Sequence, residues 1–151
     1  MPICTRKGIL MIEIFRVKSE KDMETVRNIR LEVFVEEQGV PVELEMDEFD
    51  KEAIHVLALV DGEPAGCGRL LIKGDEAKIG RVAVRKKMRR KGIGTGICKL
   101  LIAIAADHGV KRVYLGAQLT AVDFYISLGF EKEGEVFKEA GIDHIKMVKN
   151  I

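Results

Sequence analysis

The chain has 151 residues, 25 Lys and Arg against 24 Asp and Glu, and a formal net charge of +1. This length fits one domain, residues 1–151, able to bury roughly 70% of the surface its unfolded chain exposes. Hydrophobic residues at 47% and charged residues at 32% are ordinary for a soluble globular protein, and no apolar run approaches the ~20 residues that cross a bilayer.

The N-terminus carries Arg6 and Lys7 before Ile9 to Ile12. No long apolar segment or small-residue cleavage site follows, so no signal peptide is expected. Cys4, Cys67 and Cys98 are an odd set without metal-type spacing. They read as reduced thiols of a cytoplasmic protein.

Residues 10 to 17 are rich in β-formers and predict a first strand. Ser19 and Asp22 mark a helix start, and Val26, Ile29, Val33 and Phe34 recur at helical spacing, so a helix is predicted over 20–37 and ends at Gly39 and Pro41. A loop or short helix follows. Residues 54–60, 64–72 and 77–84 then predict three strands of a meander, joined at Asp61-Gly62 and at Lys73-Gly74-Asp75. The small residues Gly66, Cys67 and Gly68 point to a close approach by another backbone. Ile93, Ile97, Leu100, Leu101, Ile104 and Ala105 form one helical face before Gly109. A strand over 112–115, a short helix over 121–128 and two strands near 130–137 and 142–148 complete the order. That order is neither regular βαβ alternation nor all-β. It predicts a layered α/β (α+β) fold whose mixed sheet is largely antiparallel.

The near-neutral charge hides two blocks. Glu36 to Asp50 holds seven acids and no base, and Lys78 to Lys91 holds eight bases and no acid. The basic block runs into Gly92, Gly94 and Gly96 at the start of the long helix. Helix N-termini present unpaired N–H groups and partial positive charge, and glycines let a phosphate approach them. The block lacks the Lys-Ser/Thr of a P-loop and the spacing of a dinucleotide fingerprint. Aromatic residues make up only 5% and none interleaves the block, which argues against a nucleic-acid stacking surface.

Arg89-Arg90-Lys91-Gly92-Ile93-Gly94 resembles the Gln/Arg-x-x-Gly-x-Gly/Ala signature of GNAT N-acetyltransferases. Gln118, Ala121, Tyr125, Gly129 and Phe130 resemble the family's Asn-x-x-Ala-x-x-x-Tyr-x-x-x-Gly-Phe stretch, with Gln for Asn at the first position. Val33 to Pro41 and Gly141-Ile142-Asp143-His144 resemble the ElaA-like branch.

The resemblance implies the GNAT fold, a twisted sheet flanked by helices, and acetyl-CoA as cosubstrate with no metal. Val82, Ala83 and Val84 would hold the pantetheine and the acetyl carbonyl through their backbone. Arg89, Arg90, Lys91, Gly92, Ile93, Gly94 and Thr95 would meet the pyrophosphate, and Gln118 would reach the pantetheine arm. Tyr125 would lie near the thioester sulfur and protonate the departing thiolate. The implied partners are acetyl-CoA and an amine acceptor, with a homodimer left open and neither nucleic acid nor membrane expected.

An alkyl ammonium must also lose a proton, which costs about 4.6 kcal/mol at pH 7. Candidate bases are His55, Glu36, Glu37, Asp50 and His144, with His55 and Glu37 taken forward. His55 shares a strand face with Leu57 and Leu59, which equally suits a core histidine. His144 shares a face with Lys146 and looks either to the cleft or to solvent. The acidic stretch reads either as an attractor for a cationic acceptor or as a solvated loop.

Overall fold

The computed structural model describes residues 2–151. Its centre is one sheet of β1 (Ile3–Lys7), β2 (Leu10–Arg16), β3 (Ile54–Val60), β4 (Glu63–Lys73), β5 (Glu76–Val84), β6 (Arg112–Gln118), β7 (Glu131–Glu139) and β8 (Ile142–Asn150). The spatial order is β1-β2-β3-β4-β5-β6-β8-β7. Each adjacent pair is antiparallel except β5 with β6, which run parallel. The crossover between those two strands is the long helix α3 (Ile93–Asp107); the others are α1 (Glu20–Arg30), α2 (Val42–Glu45) and α4 (Val122–Ser127). The layered, largely antiparallel α/β architecture expected from the order of elements is the one observed.

Strand alternation divides the core. On β3, Val56, Ala58 and Val60 join a large cluster with Ile93, Ile97, Leu100 and Leu101 of α3. Leu57 points the other way, into a smaller cluster with Val26, Ile29 and Val33 of the first helix. The sheet is thus covered on one face by α3 and on the other by α1. Ser19 caps α1 as expected, its hydroxyl accepting from the Asp22 N–H at 3.1 Å.

Helix α3 sits close to β4 because two glycines leave room for it. A Cβ on Gly66 would stand 2.7 Å from the Ala83 carbonyl oxygen and 3.0 Å from Ile97 Cδ1, and one on Gly68 would stand 2.8 Å from Ile97 Cγ2. The close approach comes from helix side chains as well as from a neighbouring backbone. The thiols of Cys67 and Cys98 are inside, and burial pushes both to about 12, so they are packing groups.

Three features depart from the sequence reading. Residues 3–7 form an extra edge strand, β1. The helix predicted over 20–37 widens into π-type turns over Leu31–Glu37. Strand β6 runs three residues past 115 and carries Gln118 at its end. No helix among the described residues is long and apolar enough to cross a membrane.

Candidate active site

The parallel pairing of β5 with β6 covers only Glu76–Arg112, Ala77–Val113 and Lys78–Tyr114. Both strands continue, β5 to Val84 and β6 to Gln118, without pairing again. A cavity of about 570 Å³ occupies this splay, lined by Ile79 to Val84, Leu115, Gly116 and Gln118, with Tyr125 of α4 and Arg89 also on its wall. The opening begins where β5 bulges. The β4–β5 register shifts between Cys67 and Arg69, and opposite it Arg81 takes a φ of +51°. A bulge turns a strand away from its neighbour, and positive φ in a residue with a Cβ is local backbone strain.

Beyond β5 the chain makes two left-handed steps, Arg90 at φ +64° and Gly92 at φ +79°, before α3 begins. No side chain caps α3, so its first N–H groups stay available to an anion. Ile93, 1% exposed, anchors the turn in the core, while Gly94 and Thr95 are half-buried in the first helical turn. A Cβ on Gly94 would stand 3.3 Å from the Phe124 ring. This glycine therefore seats α4 beside the turn.

Half of the basic block, four of its eight side chains, is already paired. Arg81 binds Glu45 and Asp47, Arg85 binds Glu32, and Lys87 binds Glu63. Arg89 donates through Nη1 and Nη2 to the two carboxylate oxygens of Glu37, at 2.7 and 2.8 Å, and through Nε to the Val84 carbonyl at 3.0 Å. Arg90 and Lys91 have no ion-pair partner among the described residues and stand beside the uncapped helix.

The acidic stretch divides: Glu36, Glu43 and Glu48 are exposed, whereas Glu45, Asp47 and Asp50 are neither solvated nor open to a cationic ligand. Arg30, fully buried, donates from Nε to Glu45 Oε1 at 2.8 Å and from Nη1 to Asp50 Oδ1 at 2.8 Å. Arg69 donates to Asp47 Oδ1 at 2.7 Å and to Asp50 Oδ1 at 2.8 Å. With Arg81, three arginines from α1, β4 and β5 hold Glu45, Asp47 and Asp50 against the sheet. The charges cancel inside this network, so Glu45 and Asp47 form part of the cavity wall rather than a field drawing cations to it. Charge-assisted hydrogen bonds of this kind fix geometry as well as energy.

The two bases taken forward from the sequence are not placed to act. His55 is 7% exposed, and its Nε2 meets the Asp50 carbonyl at 2.8 Å. A carbonyl can only accept, so Nε2 carries the proton. Burial pushes the ring below the ordinary imidazole range. The ring lies among the arginine network and does not line the cavity. Glu37 has both oxygens taken by Arg89, whose hydrogen bonds hold its carboxyl below the usual range. A saturated carboxylate is a poor proton acceptor. Asp50 is committed to Arg30 and Arg69, and Glu36 is exposed.

Tyr125 is 9% exposed and packs edge-on against Phe124 and Phe130 at 4.9 and 5.8 Å between ring centroids. Burial pushes its phenol above the usual range, so the hydroxyl is a donor at neutral pH. Gln118 donates from Nε2 to Gln38 Oε1 at 2.9 Å, linking the end of β6 to the end of the first helix. Gln38 was absent from the sequence reading as a site residue, although it lies in the Val33 to Pro41 stretch that carried the resemblance. His144 faces the cavity rather than solvent.

A model of the acetyltransferase (GNAT) domain family matches residues 17–151. The uncharacterized N-acetyltransferase YjcF of Bacillus subtilis is 39% identical over 137 residues, 88% of this chain and 96% of that protein. Protein ElaA of Escherichia coli is 31% identical over 138 residues, 88% of this chain and 90% of that protein. The ElaA crystal structure superposes with a TM-score of 0.82, covering 92% of this chain and 99% of that one. A GNAT family acetyltransferase from Elizabethkingia anophelis, crystallised with acetyl-CoA bound, shares the fold at a TM-score of 0.70 and 21% identity, over 93% and 98% of the two chains.

Proposed function

Since the chain belongs to the GNAT acetyltransferase family, in the branch that includes ElaA, we propose that it transfers the acetyl group of acetyl-CoA to a primary amine by direct attack, with Tyr125 as the proton donor to the departing thiolate. One observation carries this reading. A single cavity opens where β5 leaves β6, and it is walled by unpaired β5 backbone and by a buried, protonated tyrosine. An uncapped helix N-terminus with two basic side chains free of ion pairs among the described residues, Arg90 and Lys91, follows after the loop that leaves β5.

Each part has a matching task. The backbone of Val82, Ala83 and Val84 has no β partner on the β6 side and offers main-chain donors and acceptors to the amides of pantetheine. The N–H groups from Gly92 to Thr95, with Arg90 and Lys91, suit a pyrophosphate. Gln118 holds its amide at the cavity wall. The acetyl-CoA bound in the Elizabethkingia anophelis protein, which has the same fold, supports acetyl-CoA as cosubstrate here.

The test is turnover of acetyl-CoA across classes of amine, read by release of free thiol, alongside calorimetric binding of acetyl-CoA. Thiol release that depends on the amine supports the reading. Tight binding with no amine giving turnover would favour a non-catalytic acyl-CoA-binding module, and no binding would remove both.

A further inference from the structure

Resting on that acetyltransferase reading, we propose that His144 is the group that takes the proton from the incoming ammonium, with its ring fixed for the task by Ile142 and Glu139. His144 lies on β8, paired with Gln118 of β6 on one side and with Phe137 of β7 on the other. It is 7% exposed and lines the same cavity as Tyr125 and Gln118. Its Nδ1 lies 2.7 Å from the Ile142 carbonyl oxygen. That oxygen can only accept, so Nδ1 bears the hydrogen and Nε2 keeps its lone pair. Nε2 is 3.8 Å from Glu139 Oε2, close enough for the carboxylate to stabilise the imidazolium that forms. The ring stacks on Phe137 at 5.8 Å between centroids.

Gly116 provides the space. A Cβ there would stand 3.3 Å from the Phe137 ring, 3.8 Å from Glu139 Oε2 and 4.0 Å from His144 Cδ2. A side chain on β6 here would crowd the Phe137 ring, on which His144 stacks, and touch Glu139 and His144. The arrangement thus has the parts of a general base: an imidazole on the cavity wall, a tautomer set by a carbonyl at Nδ1, and a carboxylate beside Nε2 that favours the imidazolium once the proton arrives.

Among the other charges that line the cavity, Glu139 is the one carboxylate of the described residues not held by an arginine, and it stands 3.8 Å from His144 Nε2. Glu45 and Asp47 are held by arginines, and Arg69 and Arg81 cannot accept a proton. Lys78 stands on β5 with no ion-pair partner among the described residues, and Lys146, two residues along β8, lies near Glu133. Glu139 is the carboxylate that contacts the ring.

The proton count closes. The acceptor R–NH₃⁺ gives one proton to Nε2 of His144, which later passes it to water. The free amine forms a C–N bond to the thioester carbonyl carbon, and the C–S bond breaks. The thiolate takes the Tyr125 proton, and the phenolate regains it from the nitrogen that has become an amide. The products are N-acetylated acceptor, coenzyme A thiol and one solvent proton. At pH 7 about one alkyl amine in 2,500 is neutral without such help, so a base in the site matters most for strongly basic acceptors.

The experiment compares the pH dependence of kcat/KM for wild type and His144→Gln with two acceptors. One is an alkyl amine, and the other is a hydroxylamine-type analogue that is neutral at pH 7. Acetyl-CoA affinity and thermal unfolding are measured as controls. The expected result with the alkyl amine is a fall of about 10²- to 10⁴-fold near pH 7, narrowing toward pH 10, with near-equal rates for the neutral acceptor. A merely structural histidine would lower both acceptors alike at every pH. Wild type alone gives a second check should the variant fail to fold. With the alkyl amine its profile should level off well below the amine's own pKa. A rise continuing to that pKa, or equal losses for both acceptors, overturns the assignment while leaving the acetyltransferase reading intact. Failure of wild type to bind or turn over acetyl-CoA would instead remove the reading on which it rests.

Discussion

Glu37 and Arg89 meet in a two-pronged ion pair, 2.7 and 2.8 Å between nitrogens and oxygens, that joins the end of the first helix to the loop before α3. The two residues are 52 positions apart and come from the opposite ends of the acidic and basic blocks. Each block is therefore partly the other's partner, which explains why neither is a free patch of charge.

This pair sets the first prediction. Glu37→Gln removes half the brace and releases the Arg89 guanidinium toward the pyrophosphate turn. Turnover is expected to stay within about tenfold of wild type, below the 10²-fold that loss of a general base entails. Acetyl-CoA affinity should hold or tighten. Steady-state kinetics with calorimetry decides, and a 10²-fold fall in turnover would return Glu37 to the chemistry.

Tyr125→Phe keeps the ring that packs on Phe124 and Phe130 and deletes the proton. Turnover is expected to drop by about 10²- to 10⁴-fold with acetyl-CoA affinity little changed. Burial raises the phenol above its usual range, so the wild-type rate should show no loss from phenol ionisation up to pH 10. Turnover within twofold of wild type would make Tyr125 a packing residue.

Arg90 and Lys91 are the cleanest handles on the phosphate turn, because they have no ion-pair partner among the described residues. Replacing both with Gln should weaken acetyl-CoA by at least tenfold, about 1.4 kcal/mol. The dependence of affinity on salt should also fall. Gly94→Val is a poorer probe, since its new side chain would strike Phe124 and disturb α4. Unchanged affinity and salt response in the double variant would place the anion elsewhere.

Acid stability should report the arginine network. Hydrogen bonds from Arg69 hold Asp47 below the usual carboxylate range. A carboxyl depressed in the folded state stabilises the fold fully above its unfolded pKa, near 4, and loses that contribution as pH falls through the lower folded value. Wild type is expected to lose stability over this window in denaturant titrations. Asp47→Asn should be less stable at pH 7 and show a shallower acid limb. Parallel limbs for the two proteins would mean that Asp47 contributes nothing to acid sensitivity.

Much of this was legible in the chain because it is local. The Ser19 cap, the Asp61-Gly62 turn and the apolar face of α3 are written within a few residues each, and each appears as read. Strand β1 escaped notice because four of its five residues are exposed at the sheet edge and carry no buried alternation. The fate of the acidic stretch could not be read, since Arg30, Arg69 and Arg81 lie 15 to 36 residues from Glu45, Asp47 and Asp50. Only the strand order brings them together. His55 and His144 both sit on strands, and nothing near either in sequence tells which one meets the cavity. The meeting of Gly116, Glu139 and His144 depends on β6 and β7 flanking β8, a long-range fact.

The splay of β5 from β6 has a thermodynamic meaning of its own. Six residues of β5, from Ile79 to Val84, end the strand with one side of their backbone unmatched by β6. An extended ligand lying there would act as an interrupted ninth strand, recognised through main-chain groups that every residue type supplies. Side chains at Val82 and Val84 could then drift without loss of affinity, so long as the backbone path survives. The folded state would also be incomplete until the gap is filled: by mass action, ligand at one hundred times its dissociation constant would stabilise the protein by about 2.7 kcal/mol.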